Sequence, residues 1–254
     1  MREILSGLAP EAWVLDLGSS TGSFPDSLTA ARVLRLDRDR IRGLGVQADA
    51  ARLPFGDAVF DVVVANHSFE HFLEISMVLQ EMGRVVKPAG AIFASVPDAL
   101  TLTDRLYRWL AKGGGHVNAF TEPLELAGMI VEATGKPLSG MKVLHSSMAF
   151  LNRKNADWTR RCVLIGGGHE WTLQAGTYLF RWMDLVFGTR LSVYGWAYYF
   201  GTDAELDLVV ASNVCVRCGS GHIADWLVAC SLVHRWLIWN YYRCPCCGTA
   251  NLFL

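Results

Sequence analysis

The chain has no excess charge of either sign: 23 Lys and Arg stand against 24 Asp and Glu in 254 residues, a net of −1. Without a basic field nothing concentrates a polyanion, so nucleic acid is not an expected partner. No cysteine precedes Cys162, and six of the seven lie beyond position 214. A disulfide framework is spread over the fold it staples. Clustering of this kind points instead to a metal site in a reducing compartment. The opening residues MREILSGLAPEAW lack the apolar run and small-residue cleavage site of a secretory signal, so a cytoplasmic location is expected. No apolar stretch long enough to cross a bilayer is free of charge. The longest, Trp226 to Tyr242, is interrupted by His234 and Arg235, and no membrane span is expected. Internal repeats and low-complexity tracts are also missing, which excludes solenoids and disordered arrays.

What remains is a globular chain, 52% hydrophobic and 19% charged, long enough for a sizeable core. Its organising stretch runs from Trp13 to Phe24, WVLDLGSSTGSF. Residues 13–17 read as a buried strand ending near Asp16. Gly18 to Gly22 read as a turn whose backbone N–H groups can face a ligand. A helix containing Pro25 is expected to run to about Arg32. Val33 to Leu36 is strand two, with Asp37 at its carboxyl end, and a short apolar patch follows near Val46. Phe60 to Ala65, FDVVVA, is a buried parallel strand. The pattern from Phe72 to Val86 is helical, and Ala91 to Val96 is another strand. This alternation predicts an α/β fold with a mostly parallel sheet and helices on both faces. Further along, helices are expected over 104–112, 121–134 (with Thr121 as cap) and 172–187, and strands over 141–151 and 192–200.

Open α/β sheets bind ligands beyond the carboxyl ends of their strands. Asp16, Asp37 and Asp49 all fall at such ends. Asp37 follows Gly18 by 19 residues, the separation at which a carboxylate accepts from a ribose diol. The spacing Gly18-x3-Gly22 has no third glycine to pack beneath a pyrophosphate. The ordered string of Asp16, the glycine turn, Asp37, Asp49-Ala50, Leu53-Pro54-Phe55 and FDVVVANHSFEHF resembles the class I S-adenosylmethionine-dependent methyltransferases, in particular the small-molecule subgroup.

The resemblance implies a Rossmann-like seven-stranded sheet and S-adenosylmethionine as methyl donor. It implies that Asp16 lies near the methionine amino group, that Gly18, Ser19 and Gly22 make room for the methionyl part, and that Asp37 binds the ribose. Asp49 and the Ala50 N–H would read the adenine, while Asn66 and His67 border the sulfonium. Ser20 stands where the family usually has glycine. The acceptor is expected to be a small or medium metabolite, such as a hydroxyl of a glycan or lipid precursor. Removing a hydroxyl proton needs a base, for which His71 is the candidate, one turn after His67. His116 follows a run of glycines and suits a flap over the acceptor. Asn66-His67-Ser68-Phe69 stands in place of the Asn-Pro-Pro-aromatic string of the family's amino-methylating members, which argues against exocyclic base amines and glutamine amides as acceptors.

Cys215-x2-Cys218-Gly and Cys244-x2-Cys247-Gly form two knuckles, as in zinc ribbons. Cys215, Cys218, Cys244 and Cys247 are the expected ligands of a structural zinc, with Cys246 at the variable position and His222 and Cys230 as bystanders. The expected division is 1–208 for the methyltransferase part and 209–254 for the ribbon. Two other readings remain at this point: an RNA or protein methyltransferase that recognises its target through the ribbon, and a cofactor-binding scaffold without turnover.

Overall fold

A computed structural model describes residues 1–19, 22–39, 45–110, 115–145, 152–153, 165–206, 208, 213–217 and 220–253. The apolar runs of the first hundred residues are strands of one sheet: β1 (Trp13–Leu17), β2 (Arg32–Asp37), β3 (Gly45–Gln47), β4 (Phe60–Asn66) and β5 (Val86–Pro97). They pair in parallel, β3 to β2, β2 to β1, β1 to β4 and β4 to β5. With β6 (Leu138–His145) and β7 (Val193–Phe200) the sheet has seven strands in the order β3-β2-β1-β4-β5-β7-β6. From β1 the chain steps outward to β3, then returns to β4 on β1's other side. The strand order therefore reverses between β1 and β4, and their carboxyl ends flank the crevice of an open α/β sheet. Val14, Leu15, Leu17, Val63, Val64 and Ala65 are completely buried, as expected of strands covered on both faces.

The chain divides into two compact units. The first holds Met1–Asp98, Gly115–Lys142 and Trp196–Leu208; the second holds Ala99–Gly114, Val143–Gly195 and Val209–Leu254.

In the first unit, α1 (Arg2–Leu5) precedes β1 and α2 (Ile75–Val85) joins β4 to β5. Val78, Leu79, Met82 and Val85 are the buried face of α2. This helix packs against a later one, Glu125–Thr134, which buries Leu126, Ala127 and Ile130. Gly83 permits that approach: a Cβ there would lie 2.9 Å from the Ala133 carbonyl oxygen.

Three expectations are corrected. The helix from Pro25 to Arg32 is a single 3-10 turn, Asp26–Leu28, because Pro25 and Thr29 on either side of it are extended and Arg32 already belongs to β2. The helix expected from Phe72 begins at Ile75, since Phe69–His71 makes a 3-10 turn of its own. Thr121 is no cap for the helix at 125–134; its N–H donates to the Glu125 carboxylate at 3.5 Å, and Leu124 stands at the N-cap position.

In the second unit, α3 (Leu102–Leu110) comes first; with the helix at 125–134 as α4, the long helix Glu170–Phe187 is α5. The strand expected over 141–151 begins earlier, at Leu138, and its positions 146–151 lie outside the described residues. The hydrophobic run 226–242 is divided among α6 (Ala224–Ala229), β10 (Val233–Trp236) and β11 (Trp239–Arg243). Among the described residues no helix is long and apolar enough to cross a membrane. β10, β11 and β12 (Ala250–Leu252) form an antiparallel sheet, and β8 (Asn213–Val214) pairs antiparallel with β9 (Gly221–His222).

Beyond α5, Asp184 accepts from the Thr189 and Ser192 hydroxyls and from the N–H groups of Leu191 and Ser192. The Ser192 hydroxyl thus spends its proton on Asp184 and accepts from His145 Nδ1 at 3.2 Å. Burial, reinforced by Arg181, holds the His145 pKa down at about 4. An unfolded histidine takes its proton near pH 6.5. Below that pH the unfolded chain therefore gains a proton that the folded chain refuses, and stability falls from about 6.5 towards 4. A His145→Gln protein is expected to lose less melting temperature than wild type between pH 7 and 4.5. Identical slopes for the two would show that His145 does not set this dependence.

Candidate functional site

β1 delivers Asp16 beneath the glycine turn. The carboxylate has no solvent exposure; its Oδ2 accepts the Ser23 N–H at 2.9 Å and lies 3.8 Å from Arg35 Nε. Burial pushes its pKa up, against the pull of Ser23 and Arg35. Its other oxygen, Oδ1, is buried and has no hydrogen-bond partner among the described residues, and the same is true of Ser19 Oγ. Orphaned buried polar atoms are expensive, so these two mark where an external donor and acceptor would be welcome. Gly18 adopts φ 66°, and its N–H and that of Ser19 both donate to the Leu36 carbonyl, which bends the turn over the end of β2. Ser68 closes the arrangement by donating its hydroxyl to the Leu17 carbonyl at 3.0 Å. Gly22 donates to Ser19 at 2.7 Å with φ 112°. Ser20 lies outside the described residues.

Asp37 stands at the end of β2, where its Oδ1 accepts the Asp39 N–H at 3.0 Å. Asp49 is exposed and uses Oδ1 for the Ala51 N–H at 3.0 Å, while Ala50 is buried. Gly18, Asp37, Asp49, Ala50, His67 and His71 line one cleft of about 1360 Å³. Asp16, Ser19 and Gly22 support its floor and turn without being among its lining residues. Asn66 is not among them either; its amide oxygen accepts from Ser95 Oγ at 2.7 Å.

At the other end of the cleft, His67 has φ 53°, an uncommon conformation for a residue with a Cβ. Burial first, then His116 and His71, hold its pKa down at about 4, so the ring is neutral at physiological pH. His71 places Nδ1 3.0 Å from the Gly115 carbonyl, and its ring meets His116 edge to face at 4.8 Å.

The family described as "Methyltransferase domain" matches residues 15–94, from the end of β1 through most of β5. The match covers under a third of the chain, and over that stretch the sequence is similar to this family. The malonyl-[acyl-carrier protein] O-methyltransferase of Methylococcus capsulatus is 33% identical over 129 residues, 44% of this chain and 47% of that protein. The ubiquinone/menaquinone biosynthesis C-methyltransferase UbiE of Haemophilus ducreyi is 32% identical over 108 residues, 34% of this chain and 42% of its own length. The aligned stretches thus span less than half of these relatives. A solved structure from Anabaena variabilis, described as a candidate methyltransferase from an antibiotic biosynthesis pathway, aligns with 80% of this chain and 94% of its own at TM-score 0.50 and 16% identity, a likeness of fold.

Three residues in or beside the cleft were not singled out from sequence. Ser68 braces the glycine turn, Arg35 lines the cleft beside Asp16, and buried Glu70 sits between His67 and His71. Glu70 and Ser68 belong to the string NHSFEHF, but a polar residue in such a string carries no mark of burial. Arg35 alternates with apolar residues in β2 and looks like an ordinary solvent-facing position.

In the second unit, Cys215, Cys244 and Cys247 bring their sulfurs within 4.8 Å of one another, with Cys215 and Cys247 3.6 Å apart. Tetrahedral zinc with Zn–S of about 2.3 Å needs sulfurs about 3.8 Å apart, so the spacing fits. The Arg217 N–H and Asn251 Nδ2 point at Cys215 Sγ, at 3.4 and 3.5 Å, as outer partners of a thiolate do. Gly248, φ 73°, turns the second knuckle by donating to the Cys244 carbonyl. Cys218 lies outside the described residues. Cys244 also belongs to a second set with His222, whose Nε2 is 3.5 Å away, and the exposed Cys246.

Proposed function

We propose that this protein transfers the methyl group of S-adenosylmethionine to a hydroxyl of a small or medium metabolite. The observation that carries the reading is the convergence on one cleft of Gly18, Asp37, Asp49 and Ala50, beside a buried Asp16 oxygen that lacks a partner. Asp37 would accept from the ribose hydroxyls, Asp49 and the Ala50 N–H would take the adenine edge, and Asp16 with Ser19 would receive the amino-acid end. Asn66 and His67 close the β4 side of that end. The donor, when bound, supplies a methyl group already activated on a sulfonium; the protein has only to align an oxygen with it, keep water out and let a proton leave. His71, at the histidine end of the cleft, is the group we assign to the departing proton. The O-methyltransferase named among the relatives supports an oxygen acceptor.

Calorimetry tests the reading. S-adenosylmethionine and S-adenosylhomocysteine are expected to bind and NAD is not. Asp37→Ala and Asp49→Ala are each expected to weaken both ligands by ~1–3 kcal/mol, the worth of hydrogen bonds to a charged acceptor. Unchanged affinity in both variants would remove the assignment.

The second site fits a structural zinc held by Cys215, Cys218, Cys244 and Cys247. Four thiolates leave no position for water, so the ion would hold the fold and do no chemistry.

A further inference from the structure

His71, which lines the cleft, belongs to a group of side chains that methyl-donor binding does not use. One ligand atom from each of Glu70, His71 and His116 lies within 4.8 Å of the others. We propose that these three residues bind a divalent transition-metal ion, and that the ion receives the methyl acceptor through its hydroxyl and a neighbouring oxygen. The first half stands on geometry alone; the second rests on the methyl-donor reading.

Five points carry it. Two imidazoles and a carboxylate are a donor set for Mn, Fe, Co, Ni or Zn, and three protein ligands leave positions open for substrate. With metal–ligand bonds of about 2.0–2.2 Å, neighbouring ligand atoms sit roughly 3–3.6 Å apart, which a small side-chain shift reaches from the observed grouping. Glu70 is only 2% exposed, and a buried carboxylate is retained where a cation or strong donors meet it.

The histidine is also presented in the way a ligand is. A carbonyl can only accept, so the contact between His71 Nδ1 and the Gly115 oxygen places the proton on Nδ1, the outer hydrogen bond that orients a ligating imidazole and makes Nε2 the nitrogen able to ligate. Finally, the cluster is built and braced. The Glu70 carbonyl accepts the N–H groups of Val117 and Asn118 at 2.7 and 3.1 Å, and Asn118 Nδ2 donates to the carbonyls of Phe69 and Phe72. These bonds hold His116 against a segment 45 residues earlier in the chain. His67 flanks the group, with Nδ1 4.0 Å from Glu70 Oε1, and both His67 and His71 line the cleft.

The chemistry that follows is balanced without a further reagent. On coordination the acceptor hydroxyl loses its proton directly to solvent; His71, as a ligand with Nδ1 already protonated, has no lone pair left to take it, so its base role belongs to the ion-free site. The resulting oxygen attacks the methyl carbon, the carbon–sulfur bond breaks, and sulfur keeps the electron pair as a thioether. The acceptor class is therefore an oxygen chelator: a catechol, a vicinal diol or a hydroxy acid.

The test uses the full chain loaded with a single equivalent of zinc, which the thiolates take first, then freed of excess zinc so that the Glu70, His71 and His116 set stays open, with Mn2+ as probe. Titration followed by electron paramagnetic resonance is expected to show one Mn2+ per chain, with nitrogen couplings from histidine in the spin-echo spectrum of the wild type. Glu70→Gln and His116→Ala are expected to weaken Mn2+ at least tenfold while S-adenosylhomocysteine affinity stays within twofold, which also certifies their folding. Wild-type Mn2+ spectra without nitrogen coupling, or equal Mn2+ affinity in folded variants, overturn the ion site. Catechol is expected to displace water from bound Mn2+, lowering water proton relaxation; no change overturns the acceptor half. Failure of the wild type to bind S-adenosylhomocysteine would strike the methyl-donor reading and leave the Mn2+ result standing.

Discussion

A Gly18→Ala protein is expected to lose most of its S-adenosylhomocysteine affinity, its thermal stability, or a share of each. Two costs meet at this position. The backbone sits at φ 66°, where a Cβ is strained, and the added atom would lie 2.8 Å from both Cβ and Oγ of Ser68. Ser68 cannot swing aside, because it is buried and its hydroxyl holds the Leu17 carbonyl. Strain and overpacking together amount to about 2–4 kcal/mol. If the turn keeps its shape, the cost appears as lost stability. If the turn relaxes, the orphaned Asp16 Oδ1 and Ser19 Oγ lose their placement, and the cost appears as an affinity roughly 30- to 1000-fold lower.

The two readouts must therefore be taken together, calorimetry beside thermal unfolding. Gly128→Ala is the control: that glycine is exposed in α4, has nothing within 4 Å of the added carbon, and is expected to be neutral or slightly stabilising. A Gly18→Ala protein that matches wild type in both measurements would show that the turn is not the clasp described.

The second large effect concerns the cysteines. Removing the metal by chelation, or replacing Cys244 by Ser, is expected to unfold the segment carrying β8 to β12. Its buried cluster consists of Cys215, Leu227, Tyr242 and Cys244, with Leu232, Val233, Cys247 and Phe253 partly buried around it. Two of the four fully buried members are themselves cysteines, so little apolar area is left to oppose chain entropy once the ion is gone. Structural zinc contributes about 10–16 kcal/mol in small domains, far more than such a cluster can.

Metal analysis should find close to one zinc per chain in the wild type, and hydrogen exchange across 213–253 should become rapid in Cys244→Ser. Cys246→Ser separates the two possible ligand sets. With Cys215, Cys218, Cys244 and Cys247 as ligands it keeps the ion; loss of zinc in that variant would favour the set with His222. Retention of zinc and slow exchange by Cys244→Ser would dismiss both.

Much of the cleft was legible because its residues announce themselves by position along the chain. Asp16, Asp37 and Asp49 each follow an apolar run, and an acid at the end of a buried strand faces the carboxyl edge of the sheet wherever the strands are parallel. The cysteine knuckles were legible for a similar reason, since two residues between ligands suit one tight turn. The helix after the glycine turn was misjudged. Pro25 is compatible with the first turn of a helix, but only nine residues separate Gly22 from β2, and the extended conformations at Pro25 and Thr29 leave room for no more than a single turn. Glu70 was passed over because a glutamate between two aromatics gives no sign of being buried. His116 was noted only for the glycines before it, and its partners lie 45 residues away.

By itself the sequence determined the strands, the long helices, the order of acids along the carboxyl edge and the spacing of the sulfur pairs. All of these depend on neighbours within one turn or one strand. Tertiary structure alone decided that β7 enters between β5 and β6, that residues 99–114 and 143–195 join the C-terminal unit, and that Glu70 and His116 come together with His71, which lines the cleft. Those outcomes depend on contacts between distant segments, whose energies come from packing and burial that no local pattern records.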